Sequence, residues 1–108
     1  MAKNSGPASF VQIKKKYPQF VEAWDALGRT TRKAGPLDEK TIQLIQLAAA
    51  TAIRSEGAVH SHVRRARAAG ATRAEINQAL LVVASTIGFP NVVAGFSWAQ
   101  DILKKKAR

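Results

Sequence analysis

Two histidines lie close together in the middle of the chain, at His60 and His62, and they are the residues best suited to acid–base chemistry. Imidazole gains and loses a proton near neutral pH, so it can serve as an acid or as a base. Residues two apart point to different sides of a helix, and the chain has no third histidine. A metal site built on this pair is therefore disfavoured, and we predict no metal and no other cofactor.

The helical spacing around His62 places it on an apolar face, which it shares with Ser55, Val59 and Val63. From this pattern alone, a core histidine bonded to a backbone carbonyl is favoured over a catalytic one. Ser55 and His62 could act as nucleophile and base, but no acidic residue on this face would orient the imidazole. His62 is nevertheless the candidate for a catalytic residue on this face. Its pairing with Ser55 as nucleophile and base is the weaker form of that hypothesis.

A second line of side chains follows a spacing of four residues through Glu56, His60 and Arg64. On a helix these residues are neighbours, so Glu56 can accept a hydrogen bond from His60. The pattern is typical of a surface or subunit-interface ladder. We treat all three as supporting or substrate-binding candidates.

Helices must position these residues, because no segment alternates apolar and polar side chains with a period of two. The sequence predicts an all-α bundle of five to six helices. The predicted helices span residues 9–17, 18–34, 39–54, 56–69, 72–87 and 90–103. Asp38 and the Thr72–Glu75 capping box mark two helix starts, and Gly70 marks a helix end. The inner face of the last helix is predicted to contain Val92, Val93, Phe96, Ala99 and Leu103.

The helix at 39–54 is apolar on almost every side, which indicates burial on every side. A chain of 108 residues can hardly enclose one helix so completely by itself. We therefore predict that a second subunit covers it, in an obligate homo-oligomer.

The length and a hydrophobic fraction of 46% fit one compact domain. We assign residues 1–8 to a disordered or capping arm, 9–103 to a single helical domain and 104–108 to a basic tail. No apolar run is long enough to span a bilayer, so we expect a cytoplasmic protein without a membrane partner.

The net charge is +10, from 17 Lys and Arg against 7 Asp and Glu. The excess is spread along the chain with clusters near both ends, which favours a solubilising role. The basic residues are not interleaved with a ladder of stacking aromatic side chains, so nucleic acid is a disfavoured partner. A small anionic ligand is the partner that this charge would suit.

Three segments, 37–48, 55–66 and 69–76, together with Gly88-Phe89-Pro90, resemble the carboxymuconolactone decarboxylase family, which includes the alkylhydroperoxidase-D-like proteins. The run His-x-x-x-Ala-x-x-x-Gly-x-Thr-x-x-Glu-Ile, beginning at His62, carries much of the likeness. The resemblance covers the chain from Pro18 to Leu103. It implies an all-helical fold of the alkylhydroperoxidase-D-like type and closely paired subunits, often hexamers arranged as trimers of dimers.

The peroxidase branch of that family uses a C-x-x-C pair, a following histidine and a glutamate on the preceding helix. By resemblance, Ser55 and Ala58 stand at the cysteine positions, His62 at the histidine and Gln43 at the glutamate. The chain contains no cysteine at all. Because a serine hydroxyl has no accessible sulfenic or disulfide state, thiol peroxidase chemistry is excluded.

The decarboxylase branch needs no cysteine, and the resemblance implies a small carboxylated lactone as its substrate. Loss of CO2 and protonation of carbon would require a cationic pocket, an apolar wall and an acid. We assign the acid role to His62 and treat Gln43 as a supporting or substrate-binding candidate. Further candidates are Arg54, Arg64 and Arg65 for the carboxylates, and Trp24, Phe89 and Trp98 for the walls. A non-catalytic oligomeric scaffold or binding module of the same fold is the alternative.

Overall fold

The computed structural model describes residues 8–106, and side chains as far as residue 104. Helices and short connections account for this whole range, which contains no strand. The helices are α1 (Ala8–Lys16), α2 (Pro18–Arg32), α3 (Glu39–Ala52), α4 (Glu56–Ala68), α5 (Arg73–Val82), the single-turn α6 (Ala84–Ile87) and α7 (Phe89–Lys106). The all-α prediction is confirmed, and the six longer helices agree with the predicted number.

The chain divides into two compact units at Pro36. The expectation of one domain over residues 9–103 stays a prediction. The predicted arm lies outside the described residues except for Ala8, and α7 continues through the first three residues of the predicted tail. None of the described helices combines the length and the apolar character needed to cross a membrane.

The first unit contains α1 and α2. Pro18 occupies the first turn of α2, where its missing N–H costs nothing. Its apolar residues Phe20, Trp24 and Leu27 are 62%, 62% and 56% exposed, so this stripe is a solvent-facing surface of the single chain.

The second unit begins at Leu37 and contains α3 to α7. Its core is formed by small and branched apolar side chains from α3, α4, α5, α7 and the connection before α5. These are Leu47, Ala50, Val59, Val63, Ala66, Ala71, Ile76, Leu80, Val92, Ala99, Ile102 and Leu103. The core therefore fixes α3 and α4, the two helices that carry Gln43 and His62, in one compact unit.

Local capping signals set the helix starts as predicted. The Asp38 carboxylate accepts a hydrogen bond from the Thr41 backbone N–H at 2.9 Å, and Thr72 and Glu75 form a complete capping box. Gly70 has the positive φ of 99° expected for a residue that follows a helix end.

Three expectations about helix ends and faces were wrong. α3 ends at Ala52 rather than at Arg54, whose φ of 56° lies in the left-handed region. The segment 72–87 is broken at Val83 into α5 and α6. On α3, Ile45 is 51% exposed in the single chain, so its predicted burial by a second subunit stays a prediction. On α7, Val92, Ala99 and Leu103 are buried as predicted, whereas Val93 and Phe96 are 49% and 37% exposed and Ile102 also joins the core.

Helices α3 and α7 pack closely where Thr51 faces Gly95. Both residues are buried, and the Thr51 hydroxyl donates to the Leu47 carbonyl at 3.0 Å. A Cβ atom on Gly95 would lie 2.5 Å from Thr51 Cγ2, well inside van der Waals contact. Glycine is therefore required here for the two helices to pack at this distance.

Candidate functional site

The His62 imidazole on α4 is bonded to the Gln43 side chain on α3. The atoms Nδ1 of His62 and Oε1 of Gln43 are 2.8 Å apart. Gln43 is only 1% exposed, whereas His62 is partly buried. The structure thus brings together the candidate catalytic residue and Gln43, one of the supporting candidates, and the partner of Nδ1 is a side-chain amide.

Glu39 orients this amide from one turn earlier on α3. The Gln43 Nε2 group donates to Glu39 Oε2 at 2.6 Å. A carboxylate can only accept hydrogen bonds, so the amide NH2 must face Glu39 and the amide oxygen must face His62. An amide oxygen is an acceptor, and Nδ1 of His62 therefore carries the hydrogen. In the neutral ring, Nε2 is then the basic nitrogen.

Ser55 and Ala58 lie at the start of α4, on the face that also carries His62. The Ser55 hydroxyl accepts a hydrogen bond from the Ala58 backbone N–H at 3.3 Å and so caps the helix. His62 follows Ser55 by seven residues, a rise of about 10 Å along the helix. The serine thus has a structural role at the helix start, and alanine contributes no reactive atom.

His60 lies on the other side of α4 and is bonded to Asp101 of α7. Its Nε2 atom is 3.0 Å from Asp101 Oδ2 and 4.0 Å from Glu56 Oε2. The predicted proximity of Glu56 and His60 is present, but the shorter contact is to Asp101. These three residues are also the donors that could hold a metal ion, because their ligand atoms all lie within 4.8 Å of one another. Arg64, the third member of the predicted ladder, is exposed.

Arg54 is held at the junction between α3 and α4. Its guanidinium donates to Asn91 Oδ1 at 2.5 Å, and its central carbon lies 6.0 Å from the centroid of the Trp98 ring. Asn91 in turn donates to the Ile87 carbonyl at 2.7 Å. Arg54, a candidate for carboxylate binding, thus lies beside Trp98, a candidate for an apolar wall.

A shallow groove of about 380 Å³ runs beside α3 and α5 in the second unit. It is lined by Lys40, Thr41, Leu44, Glu75, Gln78, Ala79 and Val82. Lys40 and Glu75 pair across it at 3.1 Å. The backbone N–H of Thr72, and then Lys40, lower the pKa of the Glu75 carboxyl below its ordinary value. His62 is not among these lining residues.

Sequence reasoning missed two residues of these clusters, Glu39 and Asp101. Glu39 could have been found, because it precedes Gln43 by four residues on a predicted helix and shares its face. Asp101 is 41 positions from His60, and only the packing of α7 on α4 brings the two together.

Comparison with known proteins gives the chain a family. Residues 18–101 match the model of the carboxymuconolactone decarboxylase family. An uncharacterized protein of Methanocaldococcus jannaschii is 32% identical over 88 residues, covering 81% of this chain and 82% of that protein. An uncharacterized protein of Haemophilus influenzae is 40% identical over 58 residues, covering 54% of this chain. That match spans about half the length of the Haemophilus protein, 51%.

A solved structure shares the fold. It is the apo form of a carboxymuconolactone decarboxylase family protein from Legionella pneumophila, with a TM-score of 0.81 and 24% identity. The match covers 93% of this chain and 88% of that one. The family match over most of the length confirms the resemblance seen in the residues. The chain belongs to the carboxymuconolactone decarboxylase family, as a member whose sequence contains no cysteine.

Proposed function

We propose that His62 is the proton donor and acceptor in a decarboxylase or lyase reaction on a small anionic molecule. The observation that supports this proposal is the hydrogen-bonded chain from Glu39 through Gln43 to His62, with distances of 2.6 and 2.8 Å. A buried amide whose orientation is fixed at both ends holds the imidazole in one tautomer. A fixed tautomer is what general acid–base catalysis requires of a histidine.

The reacting atom in this proposal is Nε2 of His62. Loss of CO2 from a carboxylated lactone breaks a carbon–carbon bond and leaves its electron pair on the substrate carbon. That carbon takes a proton from the His62 imidazolium, which becomes neutral and regains a proton from water. Throughout the cycle Nδ1 keeps its hydrogen bond to Gln43, so the ring does not need to turn between steps.

The charge of the chain supports an anionic substrate, since its net charge is +10. Exposed Arg65 follows His62 by three residues, on the same side of α4, and is the proposed carboxylate partner. Arg64 is two residues from His62 and lies on the His60 side of the helix. The supporting candidates on that helix remain Ser55 and Glu56 at its start and His60 on the side away from His62. Thiol peroxidase chemistry is not proposed, because neither Ser55 nor Ala58 can form a sulfenic acid or a disulfide.

A dimer-based homo-oligomer, with a hexamer as one possible form, is part of the proposal. Large apolar side chains on α3 and α5 are exposed in the single chain, among them Ile45 at 51% and Val82 at 66%. Contiguous exposed apolar residues of this size mark association surfaces in many proteins. A cytoplasmic location also stays a prediction.

The test is a turnover assay with carboxylated unsaturated lactones in D2O, followed by NMR. We expect release of CO2 and one deuterium incorporated at the carbon that lost the carboxylate. His62→Gln should lower the rate by about 100-fold to 10,000-fold, the range typical of a general acid or base. Glu75→Gln, which changes a carboxyl group outside the Glu39–Gln43–His62 chain, is the matched control and should keep the wild-type rate.

Two outcomes would overturn the proposal. Turnover that His62→Gln leaves unchanged would remove the histidine from the mechanism. Lactones that raise the melting temperature without being turned over would favour the alternative, a non-catalytic binding module of the same fold.

A further inference from the structure

Three ligand-type side chains meet on the opposite side of α4 from the proposed catalytic histidine. Glu56 and His60 are one helical turn apart, and Asp101 reaches them from α7. The side chains of His60, Glu56 and Asp101 are 22%, 57% and 52% exposed. The two carboxylates are thus open to solvent, whereas the imidazole is mostly buried.

We propose that Glu56, His60 and Asp101 form a binding site for a divalent transition-metal ion, with Zn²⁺ as the best fit. Zinc takes imidazole nitrogen and carboxylate oxygen at about 2.0–2.2 Å, so two ligand atoms of a tetrahedral site lie about 3.4 Å apart. The distances from His60 Nε2, 3.0 Å to Asp101 and 4.0 Å to Glu56, bracket that value. All three ligand atoms lie within 4.8 Å of one another, and the two exposed carboxylates can rotate to close the remaining difference.

The mixture of donors also favours a metal ion over an ion pair alone. A single Nε2–H can donate well to one carboxylate, and it is directed at Asp101. The Glu56 oxygen, at 4.0 Å, lies beyond hydrogen-bond distance and is left without that donor. A metal ion in place of the proton would bond to all three side chains. One imidazole with two carboxylates suits zinc and its neighbours better than calcium or magnesium, which prefer oxygen ligands throughout.

Three protein ligands leave a fourth position on a tetrahedral ion for water or an anionic group. The ion would also connect α4 to α7, because its ligands come from both helices. Binding to the folded state alone stabilises that state, so Zn²⁺ should raise the melting temperature.

The test is a Zn²⁺ titration of the untagged full chain by isothermal calorimetry, with melting curves and the visible spectrum of the Co²⁺-substituted protein. We expect one equivalent of Zn²⁺ per chain and a higher melting temperature. A tetrahedral Co²⁺ spectrum is expected as well. Loss of one ligand should weaken Zn²⁺ binding by about 100-fold. Mutation of a residue that only hydrogen-bonds a metal ligand already costs up to about 100-fold in affinity. His60→Ala removes the imidazole, and Asp101→Asn removes one carboxylate with little change in shape.

Two controls separate this site from other donors. His62→Gln changes the only other histidine, and Glu75→Gln changes a surface carboxylate paired with Lys40. Both should bind Zn²⁺ as the wild type does. The proposal is overturned if the wild type binds no Zn²⁺ at millimolar concentration, or if His60→Ala and Asp101→Asn bind as tightly as the wild type. Either result would leave the proposed role of His62 unaffected.

Discussion

Replacement of Gly95 by alanine should loosen the packing of α3 against α7. The added Cβ would lie 2.5 Å from Thr51 Cγ2 and 2.8 Å from Thr51 Oγ1. Carbon atoms in contact are about 3.5–4.0 Å apart, so the helices must separate by about 1 Å or more. Overpacking of a well-packed core typically costs about 1–3 kcal/mol. Thr51 cannot simply turn away, because it is fully buried and its hydroxyl is bonded to Leu47.

Urea and thermal unfolding, followed by circular dichroism at one fixed protein concentration, measure this cost. A fall of about 4–8 °C in melting temperature is expected for each kcal/mol lost in a chain of this size. Gly57→Ala is the matched control, since no atom lies within 4 Å of a Cβ there and α4 continues through it. That change should be stabilising by about 0.5–1 kcal/mol.

A Thr51→Ala change in the Gly95→Ala background should recover part of the loss. It removes the two nearest atoms and leaves Thr51 Cβ, which would be 3.2 Å from the new methyl group. If Gly95→Ala is as stable as the wild type, the close packing of α3 on α7 is not a property of the folded protein in solution.

Three further predictions concern the site, the helix caps and the excluded chemistry. Gln43→Leu should destabilise the protein by about 1–3 kcal/mol in urea unfolding, because Nδ1 of His62 loses its acceptor in a partly buried place; an unchanged midpoint would contradict this. Hydrogen bonds from Thr41 hold the pKa of Asp38 below its ordinary value of 3.8. The stabilisation that the Asp38 carboxylate gives the folded state is therefore complete above that value and is lost as the pH falls through the lower folded-state pKa. Asparagine is a good helix cap that does not titrate, so Asp38→Asn should reduce the loss of stability below about pH 4. The purified protein should show no thiol-dependent peroxide turnover above a buffer control, and measurable turnover would refute the exclusion of cysteine chemistry.

Local signals in the sequence were sufficient for most of the helices. Asp38 and Thr72 begin helices because their side-chain oxygens satisfy free backbone N–H groups, and those bonds depend only on residues within one turn. The end of α3 was placed two residues late because Ile53 continues the apolar pattern of the helix. Arg54 instead takes a left-handed conformation and bonds to Asn91, 37 residues further along the chain.

Faces and long-range contacts were harder to predict. Periodicity placed Val93 and Phe96 on the inner face of α7, yet Ile102 is buried and those two are exposed. Which apolar residues at the edge of the stripe are covered depends on how the neighbouring helices pack, and the sequence of a single helix does not encode that. The family resemblance singled out Gln43 and His62, but their hydrogen bond could not be predicted from the sequence. Glu39 orients the Gln43 amide by accepting a hydrogen bond from its NH2 group. This role becomes visible only when the orientation of the amide between α3 and α4 is known.

The protonated nitrogen of the His62 ring is the most direct measurement of the proposed site. Nitrogen-15 NMR of the labelled protein, at a pH where the ring is neutral, distinguishes Nδ1–H from Nε2–H, and His62→Gln assigns the signals. The hydrogen-bonded chain from Glu39 through Gln43 predicts the Nδ1–H tautomer in the wild type. It also predicts that this preference is lost in Gln43→Leu. An Nε2–H tautomer in the wild type, or the same tautomer preference in both proteins, would contradict the proposed role of Gln43 and the acid–base role built on it.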